Sequence, residues 1–227
     1  MKLITERPLA VVLLSGGMDS AVCAAIAQDQ GFELAALHLN YGQRTESREL
    51  TAFNNLCKFY HIKQTLITNI DHLAQIGGSS LTDKNIQVVG TDFKQASIPN
   101  SYVPFRNANI LAIATSWAEV ISASAIFIGA IEQDSSGYPD CRKTFFEAFE
   151  KTIELGTKPE TKIIIFTPLI DLTKKEVVET GYKLNVPFEL TWSCYTDSDA
   201  ACGECDSCLL RLRGFEAASI SDPIIYK

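Results

Sequence analysis

Four apolar residues run directly into a serine and two glycines near the start of the chain. Residues 11–14 precede the sequence SGGMDS at 15–20, and the alanine-rich segment 21–27 follows. A buried strand, a glycine turn and a helix N-terminus in this order form an anion site, because free backbone N–H groups and the helix dipole face the turn. Glycine lets the backbone approach a phosphate closely, and we expect Asp19 or Ser20 to cap the helix. Residues 15–20 are called the phosphate loop below.

The phosphate loop differs from two better-known loops. It is not a Walker A loop, because no Gly-Lys-Ser/Thr closes it. It is not the nucleophile elbow of serine hydrolases, because that turn requires Gly-x-Ser-x-Gly. A plain strand-to-helix turn without a ligand is the alternative that these residues leave open.

Four of the seven cysteines lie close together near the C-terminus, and they are called the cysteine cluster. They are Cys194, Cys202, Cys205 and Cys208. Cysteines three residues apart lie on one face of a tight turn or of a first helical turn, so that one cation reaches them all. Four thiolates form a closed tetrahedral site of the structural zinc type. An iron–sulfur cluster and free thiols are the alternatives, and no histidine lies nearby in the sequence.

The apolar pattern predicts strands that alternate with helices. The predicted strands cover 9–14, 32–40, 62–70, 125–130 and 163–166, and the predicted helices cover 19–30, 45–60, 107–120, 143–155, 173–184 and a short segment from about 206. This order predicts an α/β fold with a doubly wound, mostly parallel sheet. Ligands then bind at the carboxyl ends of the strands, where the phosphate loop lies. Residues 71–104 keep no regular period and are interpreted as a functional loop or lid, or as an insertion without a role.

Composition limits the classes of function. A chain of 227 residues is long enough for one domain over 1–227 that includes a zinc-binding appendage over 190–219. The net charge of −7 argues against a surface that binds nucleic acid or anionic membranes through their phosphates. No apolar run is long enough to span a bilayer, and the first residues lack the features of a signal peptide. We therefore expect a cytoplasmic protein.

The phosphate loop resembles that of the N-type ATP pyrophosphatases, the PP-loop superfamily. Those enzymes cleave ATP between the α and β phosphates and adenylate a substrate. Four further motifs narrow the resemblance to the QueC family of 7-cyano-7-deazaguanine synthases, over residues 9–216. They are HLNYGQR at 38–44, YVPFRN at 102–107, YPDCR at 138–142 and TWSC at 191–194. The resemblance implies the adenine nucleotide alpha hydrolase-like fold.

The resemblance also implies a reaction in queuosine precursor biosynthesis. An ATP-dependent carbon–nitrogen ligase converts 7-carboxy-7-deazaguanine and ammonia to 7-cyano-7-deazaguanine through an adenylated carboxylate and an adenylated amide. It implies Mg²⁺ on the phosphates of ATP, one structural zinc per chain, and a homodimer. A PP-loop tRNA sulfur transferase is one alternative, which the acidic net charge disfavours. A zinc-bearing interaction module without activity is the other, and it would need no phosphate loop.

The matching motifs imply roles for individual residues. The implied catalytic residues are Asp19, Ser20, Arg106 and Lys174. The implied ATP-binding residues are Leu14, Ser15, Gly16, Gly17, Met18, Asp19, Ser20, His38 and Leu39. The implied substrate-binding residues are Tyr138, Asp140 and Arg142, and the implied zinc ligands are the cysteine cluster. The alternatives are a surface arginine at 106, an ordinary helix-start lysine at 174, and a solvated turn at 138–142.

Overall fold

Five parallel strands form one sheet in the order β3–β2–β1–β4–β5 in the computed structural model, which describes residues 7–83, 85–88, 98–132 and 137–227. The strands are β1 (Leu9–Leu13), β2 (Glu33–Asn40), β3 (Gln64–Asn69), β4 (Ala125–Phe127) and β5 (Ile164–Phe166). The chain first proceeds from β1 to one edge of the sheet, and later passes through β4 to the other edge. The strand order therefore reverses between β1 and β4, which is where open α/β sheets bind ligands.

Helices cover both faces of the sheet. They are α1 (Met18–Asp29), α2 (Glu46–Phe59), α3 (His72–Ile76), α4 (Arg106–Val120), α5 (Lys143–Gly156), α6 (Lys174–Lys183) and α7 (Asp206–Ala217). Val12 and Leu14 pack into a core with residues of α1, α2, α6 and α7. Val11 and Leu13 pack into a second core with residues of α3, α4 and α5. This alternation along β1 is the period of two that a strand imposes on its side chains.

The predicted fold class is confirmed, and each predicted strand and helix is present with its ends shifted by at most three residues. Strand β4 is shorter than predicted, and α7 is longer than the short helix expected from residue 206. Within 71–104, the short helix α3 was not predicted. Part of the predicted lid, residues 84 and 89–97, lies outside the described residues, as does 133–136 of the polar turn. No helix in the described part of the chain is long and apolar enough to cross a membrane.

Three residues of the cysteine cluster lie between α6 and α7, and Cys208 lies in the first turn of α7. The segment that carries the cluster packs against α2. Ala52 of α2 belongs to the same buried cluster as Trp192 and the cysteines. The C-terminal tail pairs with this segment: Ala201 donates its N–H to the carbonyl oxygen of Ile225 at 2.8 Å, and Lys227 donates to that of Ala201 at 3.0 Å. The segment is therefore held between a helix and the end of the chain.

Candidate active site

A cavity of about 310 Å³ lies at the carboxyl ends of the strands next to the reversal point. Leu14 after β1, Leu39 of β2 and Gly129 after β4 line it, together with residues of α1, α4, α6 and α7. The volume is at the lower end of the range for small-molecule sites. The residues that line this cavity range from Leu13 to Arg211, so its shape depends on elements from most of the chain.

The phosphate loop forms one wall of this cavity and leads into α1. The first hydrogen bond of the helix runs from Ala21 N–H to Gly17 O at 3.1 Å. The N–H groups of Met18, Asp19 and Ser20 precede that bond, and all three residues line the cavity. The loop therefore presents the N-terminal N–H groups and the positive end of the helix dipole to the cavity, as an anion site requires.

The cap of α1 differs from the prediction. Gly17 occupies the N-cap position, and no side chain caps the helix. Ser20 instead donates from Oγ to Gly17 O at 2.9 Å, and Ser15 Oγ lies 3.2 Å from Ser20 Oγ and accepts from Gly17 N–H at 3.2 Å. The expectation that Asp19 or Ser20 caps α1 is wrong, because both residues lie inside the first turn and their side chains have other partners.

Gly16 is required for a different reason from the one predicted. Its φ of +94° lies in the region that favours glycine, and a Cβ at this position would lie 2.7 Å from the carbonyl oxygen of Glu49 in α2. Gly16 is not among the residues that line the cavity, whereas Gly17 is. The first glycine therefore permits the approach of α2, and the second lies beside the space for a ligand.

Lys174 and Asp19 form an ion pair across the mouth of the phosphate loop. Lys174 Nζ lies 2.7 Å from Asp19 Oδ2, and both residues line the cavity. Lys174 begins α6, which Thr173 caps through a reciprocal hydrogen-bond pair with Glu176. The other oxygen, Asp19 Oδ1, is buried and has no hydrogen-bond partner within the described residues. A buried carboxylate oxygen of this kind fits a hard divalent cation such as Mg²⁺.

Arg106 and several tyrosines line another part of the cavity. Arg106 begins α4, and its Nη1 donates to Tyr41 OH at 3.1 Å with the guanidinium carbon 5.3 Å from the Tyr41 ring centroid. Burial raises the pKa of Tyr41 to about 12, so the phenol is neutral at pH 7. Tyr138 OH lies 2.7 Å from Ser101 Oγ, and Tyr195 also lines the cavity. A cation among aromatic rings suits a flat anionic ligand.

Asp140 lies outside this lining, and its side chain has a structural role. The residue is 4% exposed, and Oδ2 accepts the backbone N–H of Asn107 at 2.9 Å. Asn107 Nδ2 in turn donates to Asp140 O at 2.8 Å. Asn107 is in the first turn of α4, so Asp140 caps that helix from a distant segment and thereby helps to place Arg106. The role of Asp140 as a direct substrate ligand stays a prediction, and the structure adds this contact with Asn107.

Arg142 and His38 are also outside the lining. Arg142 is exposed and directly precedes α5. The ring of His38 is buried, with Nδ1 3.1 Å from Leu14 O and Nε2 3.1 Å from Asn40 Oδ1. Burial lowers the pKa of His38, so the ring is neutral at pH 7. The side chain of His38 therefore connects β1 and β2, and the neighbouring Leu39 provides the contact with the cavity.

The cysteine cluster forms beside the cavity as predicted. The four Sγ atoms lie within 4.8 Å of one another. Bonds of 2.3 Å to a central zinc would separate tetrahedral sulfur atoms by about 3.8 Å, and Cys202 Sγ lies 3.9 Å from Cys208 Sγ. Backbone N–H groups point at the sulfur atoms, including that of Cys205 to Cys202 Sγ at 3.3 Å and that of Asp197 to Cys194 Sγ at 3.4 Å. These donors stabilise thiolates, the form that binds a metal.

Comparison with known proteins agrees with this geometry. The family model described as "Queuosine biosynthesis protein QueC" matches residues 9–219. The chain belongs to the QueC family. Relatives in this family include the 7-cyano-7-deazaguanine synthases of Chlorobium phaeobacteroides (strain DSM 266 / SMG 266 / 2430), 62% identical, and Chloroherpeton thalassium, 61% identical, each over 218 residues and 96% of both chains. The family predicted from the motifs is thus confirmed.

One solved structure shows the fold of this QueC-family member in a more distant protein. It is a 4-thiouridine synthetase in complex with RNA and bound ATP, with a TM-score of 0.51 and 18% identity over 93% of this chain and 53% of that one. At that identity the likeness shows the fold alone.

The cavity of the QueC-family chain brings together most of the predicted ATP-binding and catalytic residues and one predicted substrate-binding residue, Tyr138. Those that line it are Leu14, Ser15, Gly17, Met18, Asp19, Ser20, Leu39, Arg106, Tyr138 and Lys174. Lining residues that carried no predicted role include Tyr41, Glu49, Asn107, Gly129, Trp192, Ser193, Tyr195, Asp206 and Arg211. Several of these lie inside the quoted motifs, and a glycine directly after a predicted strand is a signal of close backbone approach. Asp206 and Arg211 carried no local signal.

Proposed function

We propose that this chain forms 7-cyano-7-deazaguanine from 7-carboxy-7-deazaguanine, ammonia and ATP. The observation that carries the proposal is one cavity that joins the N-terminus of α1 and the Lys174–Asp19 pair to Arg106 and Tyr138. Membership of the QueC family and the names of the relatives support the same reaction. The chain is then an ATP-dependent carbon–nitrogen ligase.

Two activations convert the carboxylate to the nitrile. A carboxylate oxygen first attacks the α phosphorus of ATP, and pyrophosphate leaves. Ammonia then attacks the acyl carbon, AMP leaves with that oxygen, and loss of a proton gives the amide. The amide oxygen attacks a second ATP in the same way. Loss of the remaining N–H protons with cleavage of the carbon–oxygen bond then gives the nitrile and a second AMP.

The protein's contribution is positioning and charge stabilisation. The N–H groups at the start of α1 bind the phosphates that leave as pyrophosphate, and Lys174 neutralises their charge. Arg106 binds the substrate carboxylate, and Tyr138 packs against the flat ring. Asp19 Oδ1 would hold Mg²⁺, which supplies further neutralisation of the phosphate charge when bound.

The cysteine cluster would hold one structural zinc ion per chain. Four sulfur ligands close the coordination sphere, so the site has no open position for a substrate. The zinc would contribute folding free energy to the segment between α6 and α7. Metal analysis of the purified protein tests this assignment: one zinc per chain in a colourless protein supports it, and an absorbance band at about 400 nm would indicate an iron–sulfur cluster instead.

The setting of the enzyme is part of the proposal. No disulfide joins any of the seven cysteines, all of which lie in the described part of the chain, and this supports a reducing compartment such as the cytoplasm. The net charge of −7 supports free small molecules as substrates and argues against tRNA as a substrate. The homodimer and the single domain with its appendage at 190–219 stay predictions, which light scattering and limited proteolysis test.

A single experiment separates the candidate functions. Purified protein is mixed with ATP, Mg²⁺, ammonium chloride and 7-carboxy-7-deazaguanine, and products are identified by mass spectrometry. We expect AMP, pyrophosphate and the nitrile, each dependent on the deazaguanine. AMP formation that requires tRNA and a sulfur donor would indicate the sulfur transferase. Absence of AMP with every acceptor would indicate a protein without this activity.

A further inference from the structure

Helix α7 carries a buried arginine to which the proposed reaction gives no role. Arg211 is 1% exposed, and its Nε and Nη2 donate to the two oxygens of Asp222 at 2.7 and 2.8 Å. Its Nη1 donates to Thr191 Oγ1 at 2.6 Å and lies 3.4 Å from Ser193 Oγ. Buried ion pairs add little stability compared with well-packed apolar residues. The role of Arg211 is therefore better inferred from the residues to which its N–H groups donate than from the stability that the ion pair contributes.

The carboxylate of Asp222 is itself held in place by the C-terminal tail. Tyr226 OH donates to Oδ2 at 2.7 Å, and the N–H of Ile224 donates to Oδ1 at 3.3 Å. Asp222 therefore fixes one edge of the guanidinium of Arg211. Nη1, on the opposite edge, is the donor to the segment 191–193.

That segment contacts the phosphate loop through its backbone. Trp192 donates its N–H to Gly16 O at 2.9 Å. In a trans peptide the carbonyl oxygen and the following N–H point in opposite directions. The bond from Trp192 therefore also sets the direction of the Gly17 N–H, which is bonded to Ser15 Oγ at 3.2 Å.

The same face of α7 also packs against Lys174, which forms the ion pair with Asp19 of the phosphate loop. Gly214 lies three residues after Arg211, one turn further along the helix. A Cβ at Gly214 would lie 3.0 Å from Lys174 Cβ and 3.1 Å from Lys174 O. Lys174 is the partner of Asp19. One face of helix α7 therefore supports both the segment that contacts the glycine turn and the lysine of the ion pair.

We propose that Arg211 is a positioning residue for the phosphate loop. Through Thr191 and Ser193 it fixes the segment whose Trp192 N–H orients the peptide between Gly16 and Gly17. The inference rests on the proposed function only in that this loop binds the phosphates of ATP. It adds that the affinity for those phosphates depends on a residue that is remote in sequence from the phosphate loop.

Two conservative variants and one matched control test this proposal. Arg211→Lys keeps a positive charge for Asp222 but loses the fork that reaches Thr191, and Thr191→Val removes the acceptor while Arg211 and Asp222 stay unchanged. Arg213→Lys changes an exposed arginine of the same helix. The dissociation constants of Mg-ATP and of pyrophosphate are measured by calorimetry, with the metal content and the thermal unfolding midpoint of each protein.

We expect both dissociation constants to rise about tenfold in Arg211→Lys and in Thr191→Val, the effect of one lost charge-assisted hydrogen bond. The double variant should bind no more weakly than the weaker single variant, because the two residues act in one chain of contacts. The metal content of both variants should not change, and in Thr191→Val, whose altered residue does not line the cavity, the KM for the deazaguanine should not change either.

Affinities within twofold of the unaltered protein in folded variants would overturn the proposal. So would a loss of affinity that merely follows the folded fraction, which is the result of a purely structural role. If Arg211→Lys does not fold, the affinities of Thr191→Val for Mg-ATP and pyrophosphate test the proposal by the same twofold limit. The binding measurements need no deazaguanine, so absence of nitrile formation would refute the proposed function without affecting this result.

Discussion

Lys174 and Lys175 are adjacent in the chain but lie in different surroundings. The side chain of Lys174 is 14% exposed and lies 2.7 Å from Asp19, whereas the half-exposed Lys175 lies 3.5 Å from Glu179. We expect Lys174→Gln to lower the rate of pyrophosphate release about 100-fold, because it removes a cation from the position where phosphate charge develops. Lys175→Gln is the matched control and should stay within about twofold of the unaltered rate. Equal effects of the two substitutions would refute the role of Lys174.

Asp140 provides a second prediction for a single residue. Asp140→Ala leaves the buried N–H of Asn107 without an acceptor, so we expect the free energy of unfolding to fall by about 1–2 kcal/mol. Asp140→Asn keeps an oxygen acceptor and should recover most of that loss. Urea denaturation measures both, with exposed Asp171→Ala as the control. A raised KM for the deazaguanine at unchanged stability would instead support the predicted role of Asp140 as a substrate ligand.

Local patterns explain which residues could be predicted from the sequence. The phosphate loop and the cysteine cluster each lie within a few residues, so their spacing indicates their chemistry. The role of Asp140 depends on Asn107, 33 residues away, and that of Arg211 depends on Asp222 and Thr191. Such contacts arise only when the sheet brings distant segments together, and a pattern of residue types alone does not contain them.

The junction between β4 and α1 is closely packed, and it leads to a prediction about how the two elements fit together. A Cβ at Gly129 would lie 2.9 Å from the backbone carbon and oxygen of Asp19 and 3.1 Å from the N of Ser20. Backbone atoms of a helix N-terminus cannot move aside without displacing the phosphate loop. We therefore expect Gly129→Ala to lower stability by about 1–3 kcal/mol and to weaken ATP binding.

Calorimetry with Mg-ATP and urea denaturation measure the effects of Gly129→Ala. Gly156→Ala is the matched control, because a Cβ there would meet nothing within 4 Å at the last residue of α5. Alanine should be tolerated at 156 or should stabilise the helix slightly. ATP affinity that is the same in both variants would contradict the packing argument.

Burial explains why the central strands were predictable. Strands β1, β2 and β4 are nearly continuous apolar runs because helices cover both faces of the sheet. Edge strand β3 is largely exposed, and its start was predicted two residues too early. The end of β4 was predicted three residues too late, because the buried apolar run continues past the strand. Helix α3 has only five residues, which is too short for a helical period to be visible in the sequence.

At the scale of the whole molecule, a reaction with two activations has to use the phosphate loop twice. The chain contains the sequence SGGMDS once. Because each activation transfers one substrate oxygen to AMP, we expect two AMP per nitrile. A carboxylate labelled with oxygen-18 in both positions should place one label in each AMP.

The amide intermediate provides the decisive control for this stoichiometry. Synthetic 7-amido-7-deazaguanine should be converted to the nitrile with one AMP, and Lys174→Gln should slow both halves of the reaction by a similar factor. Mass spectrometry of AMP and of the deazaguanine products measures label and stoichiometry together. An amide that is not converted, or a variant that slows only one half, would mean that the second activation does not depend on the Lys174–Asp19 pair. One cavity would then be insufficient for the proposed reaction.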